Sequence, residues 1–134
     1  MKKALFYTVL LSYMAAVVFV SVVNLVPPQR HIPWADKLYH LGAYTVMGLL
    51  WARLIRLKRY GKGGAEGGGG ADFSLDTVAI ATAITFSFGV MIEIVQAYLP
   101  ERDAELGDAF VNGFGGMIGS FVYERFLRSM DARP

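Results

Sequence analysis

Four long apolar stretches, separated by three polar segments, organise the chain. Residues 4–26 are almost uninterrupted apolar side chains behind Met1, Lys2 and Lys3. Pro27 and Pro28 close that stretch, because proline lacks a backbone donor and steers the preceding residue out of helix. The second stretch covers residues 37–55, the third residues 76–99 with Pro100 behind it, and the fourth residues 106–127. Each is close to or above the about 20 residues that carry a helix across a hydrocarbon core. None alternates with period two, as the strands of a membrane barrel would. The pattern predicts an all-α membrane protein in which residues 1–134 form a single domain, a bundle of four transmembrane helices.

The segments between the stretches refine this picture. A basic N-terminus before an apolar run also describes a cleaved signal. But residues 4–26 exceed the ~7–15 residues of a signal core, and no small-residue cleavage site follows, so the run reads as an anchor. Residues 58–72 carry Gly63, Gly64 and Gly67 to Gly70. That composition predicts a flexible loop. It is no phosphate-binding loop, since no Gly-Lys-Ser/Thr follows and no strand precedes it. In the fourth stretch, Gly115 and Gly119 are four apart, as are Gly116 and Ser120. Small residues at that spacing let helix backbones approach closely, so this stretch is expected to pack through them.

Composition supports the same class. Hydrophobic residues make up 54% of the chain and charged residues 18%, with mean hydropathy +0.41. The absence of cysteine excludes disulfides, thiol nucleophiles and cysteine-held metals. A net charge of +2 and a pI near 9.0 do not indicate nucleic acid, because the basic residues flank apolar spans. Lys2, Lys3, the five from Arg53 to Lys62, and Arg125, Arg128 and Arg133 would lie on one side, ten in all. Arg30, Lys37 and Arg102 would lie on the other, completing the thirteen. The excess of basic residues marks the cytoplasmic side. The expected topology is therefore multi-pass in the cytoplasmic membrane, with N-terminus and C-terminus both inside.

Polar residues at membrane depth gather at one end of the spans. Asp36, His40 and Tyr44 are four apart on the second span, Glu93 and Gln96 three apart on the third, and Asp108 and Asn112 four apart on the fourth. Such spacings stack side chains on one helix face. An ionised side chain at the bilayer centre costs at least ~2.5–3.5 kcal/mol, so these groups are expected to face one another in an outward-opening cluster. Arg102, in the short connection between spans three and four, is the expected charge partner of Glu93. Each also has a plainer role. Asp36 and Lys37 suit the interface, Tyr44 an aromatic belt, Asp108 a helix N-terminus, and Asn112 interhelical adhesion. The polar groups could simply hold four helices together.

The string Asp36-Lys37-x-x-His40 with Tyr44, then Glu93-x-x-Gln96, Pro100-x-Arg102, and Asp108-x-x-x-Asn112 before Gly116 resembles the VanZ-like family. That family is named for a protein linked to resistance to the glycopeptide antibiotic teicoplanin. The resemblance covers most of the chain and implies a small multi-helix membrane protein of the cell envelope, without an established reaction. Asp103 stands where a small hydroxyl residue is more usual, and the glycine-rich loop is peculiar to this chain.

Two functions fit these residues. In the first, an outer pocket binds a polar or anionic ligand, such as membrane lipid, a lipid-linked envelope precursor or a glycopeptide-related molecule. Asp36, Lys37, His40, Tyr44, Glu93, Gln96, Arg102, Asp108 and Asn112 would form it, Lys37 and Arg102 taking the anionic group. In the second, an intramembrane enzyme acts on a lipid-linked substrate, with His40 as general base and Glu93 or Asp108 as its partner. No serine or cysteine nucleophile joins the cluster. The carboxylates and His40 have the chemistry of metal ligands, but no His-Glu-x-x-His is present, and neither a metal nor a cofactor is assigned.

Overall fold

The computed structural model describes residues 3–23, 35–59, 72–100 and 105–128, and nearly all of them are helical. The elements are α1 (Lys3–Val22), α2 (Ala35–Arg59), α3 (Leu75–Ala97) and α4 (Leu106–Val122), and a π-helical turn, Tyr123–Leu127, prolongs α4. There is no strand among the described residues. The fold is all-α, with a helix on each of the four apolar stretches.

The helix limits follow local chemistry. Ser74 caps α3, accepting from the Thr77 N–H at 3.2 Å. An N-cap hydroxyl of this kind satisfies one of the orphan donors of the first turn. The second helix continues past the apolar stretch that ends at residue 55, through Arg56, Lys58 and Arg59. Arginine and lysine are good helix formers, and cations suit a helix C-terminus. An apolar span and the helix that contains it therefore need not end together. The stop at Pro27 and Pro28, most of the glycine-rich segment, and Arg102 and Asp103 lie outside the described residues.

What holds α2, α3 and α4 together is a row of residues four apart on each. On α2 the row is Asp36, His40, Tyr44, Gly48, Ala52 and Arg56. On α3 it is Thr77, Ala81, Thr85, Gly89 and Glu93, all buried. On α4 it is Asp108, Asn112, Gly116 and Ser120, continuing to Glu124 in the π-helical turn, again all buried. Rows at i±4 are the ridges by which helices interlock. In each row small residues occupy the middle; charged residues stand at both ends on α2 and α4, and on α3 Glu93 stands at one end and Thr77 at the other. The interior is thus narrow at mid-height and polar at both extremities.

Glycine makes the narrow waist possible. A Cβ on Gly116 would stand 2.7 Å from Thr85 of α3, and one on Gly48 would strike the backbone of Gly116. A Cβ on Gly119 would collide with the Thr45 carbonyl of α2. Gly115 and Gly119 therefore face α2, whereas Gly116 and Ser120 face α3, with Thr82 Oγ1 and Ser120 Oγ 3.4 Å apart. The two overlapping small-residue spacings serve two different neighbours, and α4 is the central element.

The apolar side chains point the other way. Leu11, Phe19, Leu38, Met91, Ile94, Phe110, Phe114 and Phe126 are exposed on the outer faces of the four helices. An apolar surface of that extent marks contact with something other than water. Ala4–Val22 and Leu75–Ala97 are long and apolar enough to cross a membrane. The first helix buries only Phe6, Leu10 and Val17 among its large side chains, against Leu54, Tyr44 and Met47 of α2. It flanks the α2–α3–α4 core more lightly than those three pack on one another.

Candidate functional site

The start of α2, the end of α3 and the start of α4 meet at one end of the bundle, and each brings polar side chains at helical spacing. Lys37 bridges two carboxylates of the α4 start: its Nζ lies 2.8 Å from Glu105 Oε2 and 3.1 Å from Asp108 Oδ1. Glu105 is outside the helices, and the Lys37 ammonium beside it holds its carboxyl below the usual carboxylate range. One turn along α2, His40 Nδ1 is 2.9 Å from Asn112 Oδ1. An amide oxygen only accepts, so with this pairing Nδ1–H donates to it and Nε2 is the nitrogen turned away from Asn112. That Nε2 is 3.9 Å from Asp36 Oδ2. Tyr44, another turn on, is buried and stacks on His40 with ring centroids 6.2 Å apart.

Glu93 is 7% exposed, and its Oε2 accepts from the backbone N–H of Glu105 at 3.1 Å. Glu105 is the N-cap of α4 and makes no side-chain cap bond of its own. The carboxylate of α3 thus serves the free amides at the N-terminus of α4, where the helix dipole favours negative charge. Gln96 Nε2 donates to the Ser21 carbonyl at 2.9 Å, and Tyr13 Oη donates to the Ala43 carbonyl at 2.7 Å, so α1 is tied to α3 and to α2.

Between α1, α2 and α3 lies a cavity of about 460 Å³. Tyr13, Ala16, Val17 and Val20 form much of its apolar wall, while Asp36, His40, Tyr44 and Gln96 bring polar groups to it. Three buried polar atoms in this region have no hydrogen-bond partner among the described residues: Tyr44 Oη, Glu93 Oε1 and Asn112 Nδ2. Buried polar atoms are nearly always satisfied by protein, water or ligand; of these three, the Tyr44 hydroxyl belongs to a residue that lines the cavity.

Residues 3–128 match the family model described as VanZ/LLP1. The chain belongs to the VanZ/LLP1 family. No curated protein and no solved structure matches it.

In this VanZ/LLP1 chain the residues singled out from sequence are brought together with one gap. Asp36, Lys37, His40, Tyr44, Glu93, Gln96, Asp108 and Asn112 all stand at the same end. Arg102, expected beside Glu93, lies outside the described residues; among those described, it is the Glu105 N–H that meets Glu93. Tyr44 is an interior residue rather than part of an aromatic belt, because its row on α2 faces α3 and α4. The side chain hydrogen-bonded to His40 is the Asn112 amide, not Glu93 or Asp108. Lys37 turns to Glu105 and Asp108 and does not line the cavity.

Sequence reasoning missed the opposite end. Arg56, 6% exposed, meets the fully buried Glu124 through two bonds of 2.6 Å, Nε to Oε1 and Nη2 to Oε2. Arg56 Nη2 also donates to the Asp72 carbonyl, and the Ser74 N–H donates to Glu124 Oε2 at 3.0 Å. The bidentate pair ties α2 and the end of α4 to the segment entering α3. The signal was legible: Glu124 continues the four-residue row of Asp108, Asn112, Gly116 and Ser120.

Proposed function

We propose that this VanZ/LLP1 protein spans the cytoplasmic membrane four times, with both termini inside, and binds the polar end of an envelope amphiphile in the outward-facing cavity. The observation that carries this reading is the cavity itself. Its walls are apolar over most of their length, and Asp36, His40, Tyr44 and Gln96 supply hydrogen-bonding groups. Its volume is within the roughly 300–1,000 Å³ usual for small-molecule sites. A molecule with an acyl or isoprenoid tail and a hydroxyl-, amine- or amide-bearing head matches that division, since the described residues lining the cavity include the Asp36 carboxyl group and no lysine or arginine. An amphiphile held there would change how the outer surface presents its precursors, which is the setting in which a link to teicoplanin resistance makes sense.

The outward-facing apolar side chains and the ten-to-three distribution of basic residues support the membrane topology. The test is the lipid retained by protein purified in mild detergent and identified by mass spectrometry. Ala16 is exposed on α1 and lines the cavity. Ala16→Trp should obstruct the cavity and cut the retained species at least about tenfold, with the bundle intact. In cells the same variant should lose any protection against teicoplanin that the wild type confers. Equal retention by the wild type and Ala16→Trp would remove the cavity from the account.

A further inference from the structure

We infer that Asp36, His40 and Asp108 form a binding site for one divalent transition-metal ion of the zinc or manganese class. One ligand atom from each residue can be chosen so that all three lie within 4.8 Å of one another. Metal–ligand bonds to imidazole nitrogen and carboxylate oxygen are about 2.0–2.2 Å, which places the ligands of a tetrahedral or trigonal ion about 3.3–3.8 Å apart. A contraction of about 1–1.5 Å at the widest pair, by rotation of the exposed Asp36 side chain and its partners, would close the triad on an ion.

The imidazole is already set for the task. Asn112 Oδ1 accepts from His40 Nδ1–H at 2.9 Å, which turns Nε2 toward Asp36 as the nitrogen that would coordinate an ion. Metal-bound histidines typically have their second nitrogen fixed by such an outer partner. Asn112 is fully buried, so it fixes the ring rigidly. This goes beyond a cluster of acids, which would favour any cation weakly and show no such orientation.

A second observation points the same way. Glu93 is 93% removed from solvent, and its Oε1 has no partner among the described residues, while Asp36, His40 and Asp108 all stand within electrostatic range of it. A buried carboxyl oxygen left open near two further carboxyl groups is a place where a cation would be stabilised. Lys37 supplies one, but its Nζ is on Asp108 Oδ1 and Glu105 Oε2, which leaves Asp108 Oδ2 for an ion. One imidazole with two carboxylates is a mixed nitrogen and oxygen set, which suits zinc or manganese better than magnesium or calcium. Asp36 and His40 also line the cavity, so the ion would stand at its wall. The inference does not depend on an amphiphile occupying that cavity.

The test is equilibrium dialysis of chelator-stripped full-length protein in detergent against Zn²⁺, and separately Mn²⁺, with melting measured alongside. The wild type should take up one ion per chain, and the ion should raise its melting midpoint. Asp36 is largely exposed, so Asp36→Asn should keep the fold and weaken the ion at least about tenfold, as should His40→Gln. Asn112→Ala should weaken it about 10–100-fold, the usual effect of removing an outer partner. Asp76→Asn, on an exposed acid at the other end of the bundle, should change nothing. No uptake by the wild type of either ion at millimolar concentration would overturn the site. So would undiminished uptake by both folded Asp36→Asn and His40→Gln. Loss of the ion with the retained lipid unchanged would uphold the metal site, and loss of the lipid alone would count only against the cavity reading.

Discussion

Glu124 has no exposed surface, and its two oxygens are engaged by Arg56 and by the Ser74 N–H. Removing one partner of such a pair strands a buried charge, at about 3–5 kcal/mol. Glu124→Gln and Arg56→Met should each cost roughly that much in detergent denaturation. The double variant should cost clearly less than their sum, since neither charge is then left alone. Strict additivity would show that the two residues stabilise separate contacts. At the other end the Lys37–Glu105 pair is more exposed and its effect smaller, but its sign with pH is fixed. The Glu105 carboxyl titrates lower in the folded protein than in the unfolded chain. Its contribution is therefore present above the unfolded value of about 4.3 and is lost as pH falls through the lower folded value. The melting midpoint of Glu105→Gln should lie below that of the wild type near neutral pH, and the gap should close in acid below about pH 4. A gap of constant size would assign the effect to something other than this charge. Residue by residue, the sequence was readable where polar groups recur at helical spacing inside apolar runs, as with Asp36, His40, Glu93 and Asp108. Arg56 escaped because it stands among Arg53, Lys58 and Arg59, where a basic residue already has a reason to be: it orients the chain. Nothing local distinguishes the arginine that meets Glu124 from its neighbours.

At the scale of the helices, α4 is fixed by close approach rather than by bulk. Gly116→Leu and Gly119→Leu would drive side chains into Thr85 and into the backbone of α2. Overpacking of that kind costs about 1–3 kcal/mol, and more where backbone must move. Phe121 is 47% exposed and meets Phe73 edge-on at 5.6 Å. Phe121→Leu should lose no more than about 0.5–1.5 kcal/mol for that ring contact. Thermal stability in detergent should therefore rank Phe121→Leu well above both glycine variants, and equal values would mean that α4 does not pack through its glycines. The small-residue spacings were visible from the start. That they divide between two neighbours was not, because the division depends on α4 lying between α2 and α3. Helix ends were the least legible feature. The apolar run marks where a span stops, whereas the α2 helix continues through its basic residues to Arg59.

The molecule as a whole is turned inside out relative to a soluble bundle, with rows of small and polar residues within and large apolar residues without. Its two polar ends differ in kind. One, the closed end, carries the bidentate Arg56–Glu124 pair; the other, the open end, carries the cavity between α1, α2 and α3. The claim on which the account turns is that the open end faces outward. The chain has no cysteine, so single cysteines can report this without background. Asp36, with a side chain 60% exposed at the open end, and Lys58, exposed at the closed end, are suitable positions. Intact cells carrying Asp36→Cys or Lys58→Cys would be treated with a membrane-impermeant maleimide. Labelling of Asp36→Cys in intact cells, and of Lys58→Cys only after lysis, is the predicted result; the reverse pattern would put the cavity on the cytoplasmic side and contradict the account.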